Sequence, residues 1–107
     1  MESKSLLVQF LGDNPMIKIV DFLLDNKGMD FSKKDIIGGA RISKATLFNC
    51  WQRLEKQEIT KVTRRFGKTK LYTLNFENKI VKKLLELESV LIQTALEKNE
   101  QSVEIYA

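Results

Sequence analysis

The chain has 107 residues, 43% of them hydrophobic, and a net charge of +4, which is length and apolar content enough for one packed domain. Its single cysteine excludes an internal disulfide. With no histidine, the usual zinc sites, Cys–His nucleophiles and Ser–His–Asp triads are excluded too, and no cofactor or metal is expected. No apolar run nears the roughly 20 residues that cross a bilayer, and no cationic leader with an apolar segment opens the chain. A cytoplasmic protein without a membrane partner is therefore expected.

Residues 1–12 read as an N-terminal apolar segment. Ser5 to Leu11 form a short helix, with a strand as the alternative, ending at a capping Gly12. Asp13-Asn14-Pro15 is a start signal, because proline at the first helical position lacks only an N–H that would have no partner there. The helix that follows, to about Lys27, carries apolar residues round nearly its whole axis and should be buried on several sides. After a short connection at Met29-Asp30-Phe31, Ser32 and Asp35 have the spacing of a capping box for a helix over Lys33 to about Gly39. Gly38-Gly39-Ala40 permits a tight turn and a close helix approach.

The next helix, Ser43 to Lys56, is the one around which the chain is organised. Ser43 can accept a hydrogen bond from one of its first N–H groups. Leu47, Trp51 and Leu54 recur at i, i+4 and i+7 as one apolar stripe, while Ala45, Thr46, Asn49, Gln52, Arg53 and Lys56 share a neutral-to-basic face without a carboxylate. Two short helices joined by about four residues have the layout of a helix-turn-helix. Beyond Glu58 the period changes from helical to alternating. Ile59 to Arg64 is one strand, Arg65-Phe66-Gly67-Lys68 a turn and Leu71 to Leu74 a second strand, giving a β-hairpin with Arg64, Arg65, Lys68 and Lys70 near its tip.

Charge is partitioned to match. From Lys33 to Lys70 there are eleven basic residues against three acidic ones, a local net charge of +8, so the rest of the chain carries −4. A basic centre between acidic ends points to nucleic acid more strongly than the total does. The last long helix, from about Glu77 to Asn99, spreads its apolar residues over an arc of roughly 180° at 100° per residue. Ile80, Leu84, Leu87, Leu91 and Ala95 are the residues expected to pack on a second copy, while the other half of the arc packs on the domain. Residues 101–107 form an uninformative tail.

The order of these elements, with Ile42-Ser43-Lys-Ala-Thr46-Leu47, Trp51, Leu54-Glu55 and Leu71-Tyr72-Thr-Leu74, resembles the winged helix-turn-helix transcriptional regulators over about residues 11–96. The likeness is nearest to small archaeal and bacterial members, and Leu11-Gly-Asp-Asn-Pro15 and Leu71-Tyr72-Thr-Leu-Asn75 resemble motifs of a small archaeal group. It implies a mainly α fold with a small β-hairpin: a winged helix-turn-helix domain over residues 13–75 and a dimerising C-terminal helix over 76–100. It also implies that Ser43 and Thr46 touch phosphates and that Asn49 and Arg53 face base edges or neighbouring phosphates. Phe48 departs from the small polar residue common there, and a core or wing-packing role is expected for it rather than contact with a thymine methyl. Cys50 reads as a small buried apolar residue.

The expected function is a homodimeric regulator that binds double-stranded DNA. Its DNA-contact set is Ser43, Lys44, Ala45, Thr46, Asn49, Gln52 and Arg53 on the helix, with Arg64, Arg65, Lys68 and Lys70 on the hairpin. The alternative is a winged-helix adaptor that uses its C-terminal helix on another protein. An enzyme is the weakest reading, since Asp21 and Asp25 are most simply solvent-facing charges and no glycine-rich phosphate loop is present.

Overall fold

A computed structural model describes the backbone of residues 5–106 and the side chains of residues 5–98. The order of elements is α1 (Leu6–Leu11), α2 (Pro15–Asp25), α3 (Lys33–Ala40), α4 (Lys44–Lys56), β1 (Thr60–Phe66), β2 (Thr69–Leu74) and α5 (Lys79–Tyr106). Each start signal in the first half of the chain is used as its chemistry requires. Ser5, Asn14, Ser32 and Ser43 each accept a hydrogen bond from the backbone N–H three residues on, and Asp35 returns the favour by accepting from the Ser32 N–H. Gly12 closes α1 with φ 104°, a value that suits glycine.

The core lies where α2 meets the other helices and the hairpin. Ile19, Val20, Leu23 and Leu24 of α2 are buried together with Ile36 of α3, Leu47, Trp51 and Leu54 of α4, Leu74 of β2 and Val81 of α5. This is the many-sided burial that the apolar residues of α2 imply. Leu7 of α1 joins the same cluster, so the N-terminal helix packs into the domain from residue 5 on, while residues 1–4 of the expected segment lie outside the described residues. Phe31 and Tyr72 exchange backbone hydrogen bonds of 2.9 and 2.7 Å, which ties the connection before α3 to β2 as a one-residue third strand.

Several local expectations need correction. The glycines do not make the turn of the helix-turn-helix, because Gly38 and Gly39 are helical and Arg41 takes the left-handed conformation at φ 59°. Gly39 instead provides the close approach, its bare Cα facing the Phe22 ring of α2. The hairpin turn is tighter than Arg65 to Lys68, since Phe66 pairs with Thr69 and only Gly67-Lys68 lies between, with Gly67 at φ 59°. The last helix begins at Lys79 rather than near Glu77, because Asn78 caps it by accepting from the N–H groups of Ile80 and Val81 at 2.7 and 3.2 Å. It also runs through most of the expected tail to Tyr106, while Ala107 and the side chains of residues 99–107 lie outside the described residues.

Adjacent Gly38 and Gly39 should respond in opposite ways to alanine. A methyl at Gly39 overlaps the Phe22 ring, which is wedged against Phe31 with centroids 4.7 Å apart, whereas one at Gly38 meets nothing within 4 Å. Overpacking costs about 1–3 kcal/mol, and alanine gains up to about 1 kcal/mol over glycine in a helix. The urea midpoint is expected to fall for Gly39→Ala and to rise for Gly38→Ala.

Candidate nucleic-acid interface

The burial of α4 decides which of its residues can meet a ligand. Leu47, Cys50, Trp51 and Leu54 are turned inward, so Lys44, Ala45, Asn49, Gln52, Arg53 and Lys56 are exposed and Thr46 is half-buried. Ser43 accepts from the Thr46 backbone N–H at 3.1 Å and donates its hydroxyl proton to Thr46 Oγ1 at 2.8 Å. That arrangement leaves the Thr46 hydroxyl proton as a donor at the start of the helix. Glu55, the one carboxylate on α4, is exposed at the edge of the helix, outside the face of Ala45, Asn49, Gln52, Arg53 and Lys56, and accepts from the indole N–H of Trp51. Phe48 lies outside the core; it is 50% exposed, with the ammonium groups of Lys33 and Lys44 within 6 Å of its ring. Cys50 is buried, as a small apolar residue would be.

The hairpin is aimed by an interaction that sequence gave no means of anticipating. Between Val62 and Arg64 the register of β1 against β2 shifts, leaving Thr63 as an extra residue. In a regular strand, consecutive side chains point to opposite faces, and a bulge relaxes that rule. Here it lets neighbours reach the same carboxylate. Arg64 donates from Nε and Nη2 to the two oxygens of Asp30 at 2.9 and 2.8 Å, and the Thr63 hydroxyl donates to the same group. Asp30 precedes α3, 34 positions from Arg64, so no local pattern pairs them. Arg64, expected among the DNA contacts, is thus forked onto Asp30, while Arg65, Lys68 and Lys70 are exposed on the hairpin.

With this geometry in place, the comparison with solved structures is decisive for architecture. The chain superposes on the crystal structure of MepR, a transcription regulator of the Staphylococcus aureus multidrug efflux pump MepA, with a TM-score of 0.61 and 18% identity. The match covers 94% of this chain and 78% of that one. The fold is a winged helix. In those terms α3 and α4 are the helix-turn-helix, β1 and β2 the wing, and α5 the long C-terminal helix. No protein-family model and no curated protein sequence matches the chain.

Elsewhere the structure changes one reading. Asp25 is exposed, as expected, but Asp21 does not simply face solvent: one of its oxygens is buried without a hydrogen-bond partner, and with Asp25 and Glu88 of α5 it brings three carboxylates within 4.8 Å of one another. Among the described residues these are the carboxylates spaced to hold a cation. Burial, reinforced by the like charge of Asp21, raises the Asp25 carboxyl, and burial followed by the charge of Asp25 raises Glu88. The outer side of α5 carries exposed Ile80, Val90, Ile92 and Leu96, while Leu84, Leu87, Leu91 and Ala95 are half-buried. Ile80, Leu84 and Leu87, with the stems of Lys79 and Lys83, line an apolar groove of about 370 Å³. Within the described residues no helix is long and apolar enough to cross a membrane.

The wing anchor has a pH signature. The Arg64 and Thr63 hydrogen bonds hold the Asp30 carboxyl at about 2, below its ordinary value of 3.8. A depressed acid adds stability that is present above its unfolded value and lost as pH falls through its folded one. Carboxyl NMR of the native protein is expected to give an Asp30 midpoint near 2, moving back toward 3.8 in Arg64→Ala. An unchanged midpoint in the variant would show that the fork does not hold the wing.

Proposed function

We propose that the protein is a transcriptional regulator that binds specific double-stranded DNA sequences as a homodimer. The observation that carries this reading is the exposed, carboxylate-free face of α4, which stands beside a wing bearing Arg65, Lys68 and Lys70. An α-helix fits the major groove, and a basic hairpin beside it reaches phosphates or the neighbouring minor groove. Asn49, Gln52 and Arg53 are the readers, asparagine and glutamine suited to adenine edges and arginine to guanine. Ser43, Lys44, Ala45 and Thr46 lie against the backbone at the start of the helix. The likeness to a bacterial transcription regulator supports the role. The motifs at Leu11–Pro15 and Leu71–Asn75 support a narrower kinship with small archaeal members.

The dimer reading rests on α5. At 1.5 Å per residue, its 28 residues extend about 42 Å, and apolar Ile92 and Leu96 remain exposed beyond the half-buried Leu91. Ile80, Leu84, Leu87, Leu91 and Ala95 would pack on their counterparts about a two-fold axis, which sets two recognition helices on half-sites one helical turn apart. The protein works by binding, not by catalysis, and in this reading needs no cofactor.

Arg53→Ala is expected to relax preference at one base pair, costing about 1–3 kcal/mol at the preferred base and little on other sequences. Arg65→Ala with Lys68→Ala should weaken binding to all sequences alike. Fluorescence anisotropy against a selected duplex and its single-base variants distinguishes the two patterns. Sedimentation of the free protein should give a dimer; a monomer with no duplex affinity would instead favour an adaptor that uses α5 on another protein.

A further inference from the structure

Phe66 closes β1 at the tip of the wing, and the packing of the domain does not use it. Its side chain is 60% exposed and belongs neither to the core nor to the hydrophobic residues packed against the core. A single exposed apolar residue is ordinary on a protein surface, but two features set this one apart. The first is charge. From Ile59 to Phe76 the chain has no acidic residue, and Arg65, Lys68 and Lys70 stand exposed on the same hairpin. The second is that the ring is held. Beyond the bulge, Arg64 and Phe66 are two residues apart on one strand and share a face, and the Arg64 guanidinium lies over the ring at 5.3 Å from its centroid. That guanidinium is itself forked onto Asp30. The ring is thus backed by a fixed cation and open elsewhere. Only Gly67-Lys68 lies between Phe66 and its partner Thr69, so Gly67 adds no side chain beside it.

We propose that Phe66 is a wedge, which the wing inserts between two base pairs from the minor groove at a step that yields easily. The inference rests on the DNA-binding reading above and deepens it. It names a residue that reads the deformability of the duplex rather than its base edges. The chemistry of the ring leaves little else for it to do on DNA. A phenyl group has no hydrogen bond to offer a phosphate or the acceptors that line the minor groove, whereas every base presents a π face on which it can stack. Apolar side chains of this kind part base steps from the minor-groove side, at a cost in unstacking that the new contact offsets. Pyrimidine–purine steps such as TA and CA unstack most readily. The wing therefore selects such a step without a hydrogen bond to any base, at a position that α4 does not read. Arg65 and Lys68, which flank Phe66 and Gly67 in the chain, hold the phosphates on either side.

The test uses the full chain and duplexes of a site recovered by selection, each with 2-aminopurine in place of one adenine in the segment beside a half-site. That base brightens when it loses its stacking neighbour. The parent is expected to brighten it at one pyrimidine–purine step. Phe66→Ala should abolish the brightening and weaken binding about tenfold, toward the lower end of what one base–aromatic contact is worth because the unstacking cost disappears with it. Its slope of log affinity against log salt should equal that of the parent, since no phosphate contact is lost. Phe66→Trp should restore the brightening, and Phe10→Ala, which removes a phenylalanine 64% exposed on α1, should match the parent throughout. Duplex binding by the parent without brightening at any position would overturn the wedge and leave the DNA-binding reading intact. Brightening that persists in Phe66→Ala, or a shallower salt slope in that variant, would overturn it likewise, the second by showing a displaced wing. No duplex binding by the parent would overturn both.

Discussion

The burial of one stripe of α4 is the constraint on which the rest of the molecule depends. Leu47 and Leu54 are fully buried and Trp51 nearly so, and removing three such side chains from water is worth several kcal/mol. A helix fixed that firmly on one side has no freedom in what it shows on the other. Asn49, Gln52 and Arg53 face outward because Cys50, Trp51 and Leu54 cannot. The same packing holds the edge of that face, since the Trp51 indole donates to exposed Glu55 and Tyr72 of the wing meets Trp51 edge-on with centroids 4.8 Å apart. The outer face is basic because Arg53 and Lys56 lie on it and no carboxylate does.

Two polar anchors then fix the neighbours of α4. Asp30 holds the wing through Thr63 and Arg64, using a bulge to bring consecutive side chains onto one carboxylate. Asn78 holds the other end. Its carbonyl oxygen caps α5, and its amide donates to the Gln57 and Glu58 carbonyls at 2.8 and 3.0 Å, just past the end of α4. Glu58 takes φ 56° there, a left-handed conformation uncommon outside glycine, and Asn75 donates to the same carbonyl. The long helix is thereby joined to the recognition helix by one side chain.

What was legible in the sequence follows from the range of the forces involved. Caps, the proline start and the apolar stripe of α4 act within about four residues, so Ser43, Asn14-Pro15 and the Ser32–Asp35 box could be read directly. The hairpin followed from the change of period after Glu58. Its bulge did not, because an extra residue in one strand leaves alternation looking regular. The Asp30–Arg64 fork, the Asn78 junction and the meeting of Asp21, Asp25 and Glu88 are invisible for a different reason: each joins groups brought together only by the packing of distant elements. Phe48 sits at the boundary of the helix, about 100° from Leu47, where a core role was expected, and there neighbouring lysines lie over its half-exposed aromatic ring instead. Gly39 was read correctly for close approach and wrongly for the turn, which Arg41 makes.

The claim at the centre of this account is that α4 and the wing form a single surface for duplex DNA. The measurement that tests it most directly is an amide chemical-shift map of the protein titrated with a duplex recovered by selection from a random pool. The account predicts the largest shifts between Ser43 and Arg53 and between Arg65 and Lys70, with the outer side of α5 unmoved. Shifts concentrated on α5, or a selection that recovers no preferred sequence, would contradict it.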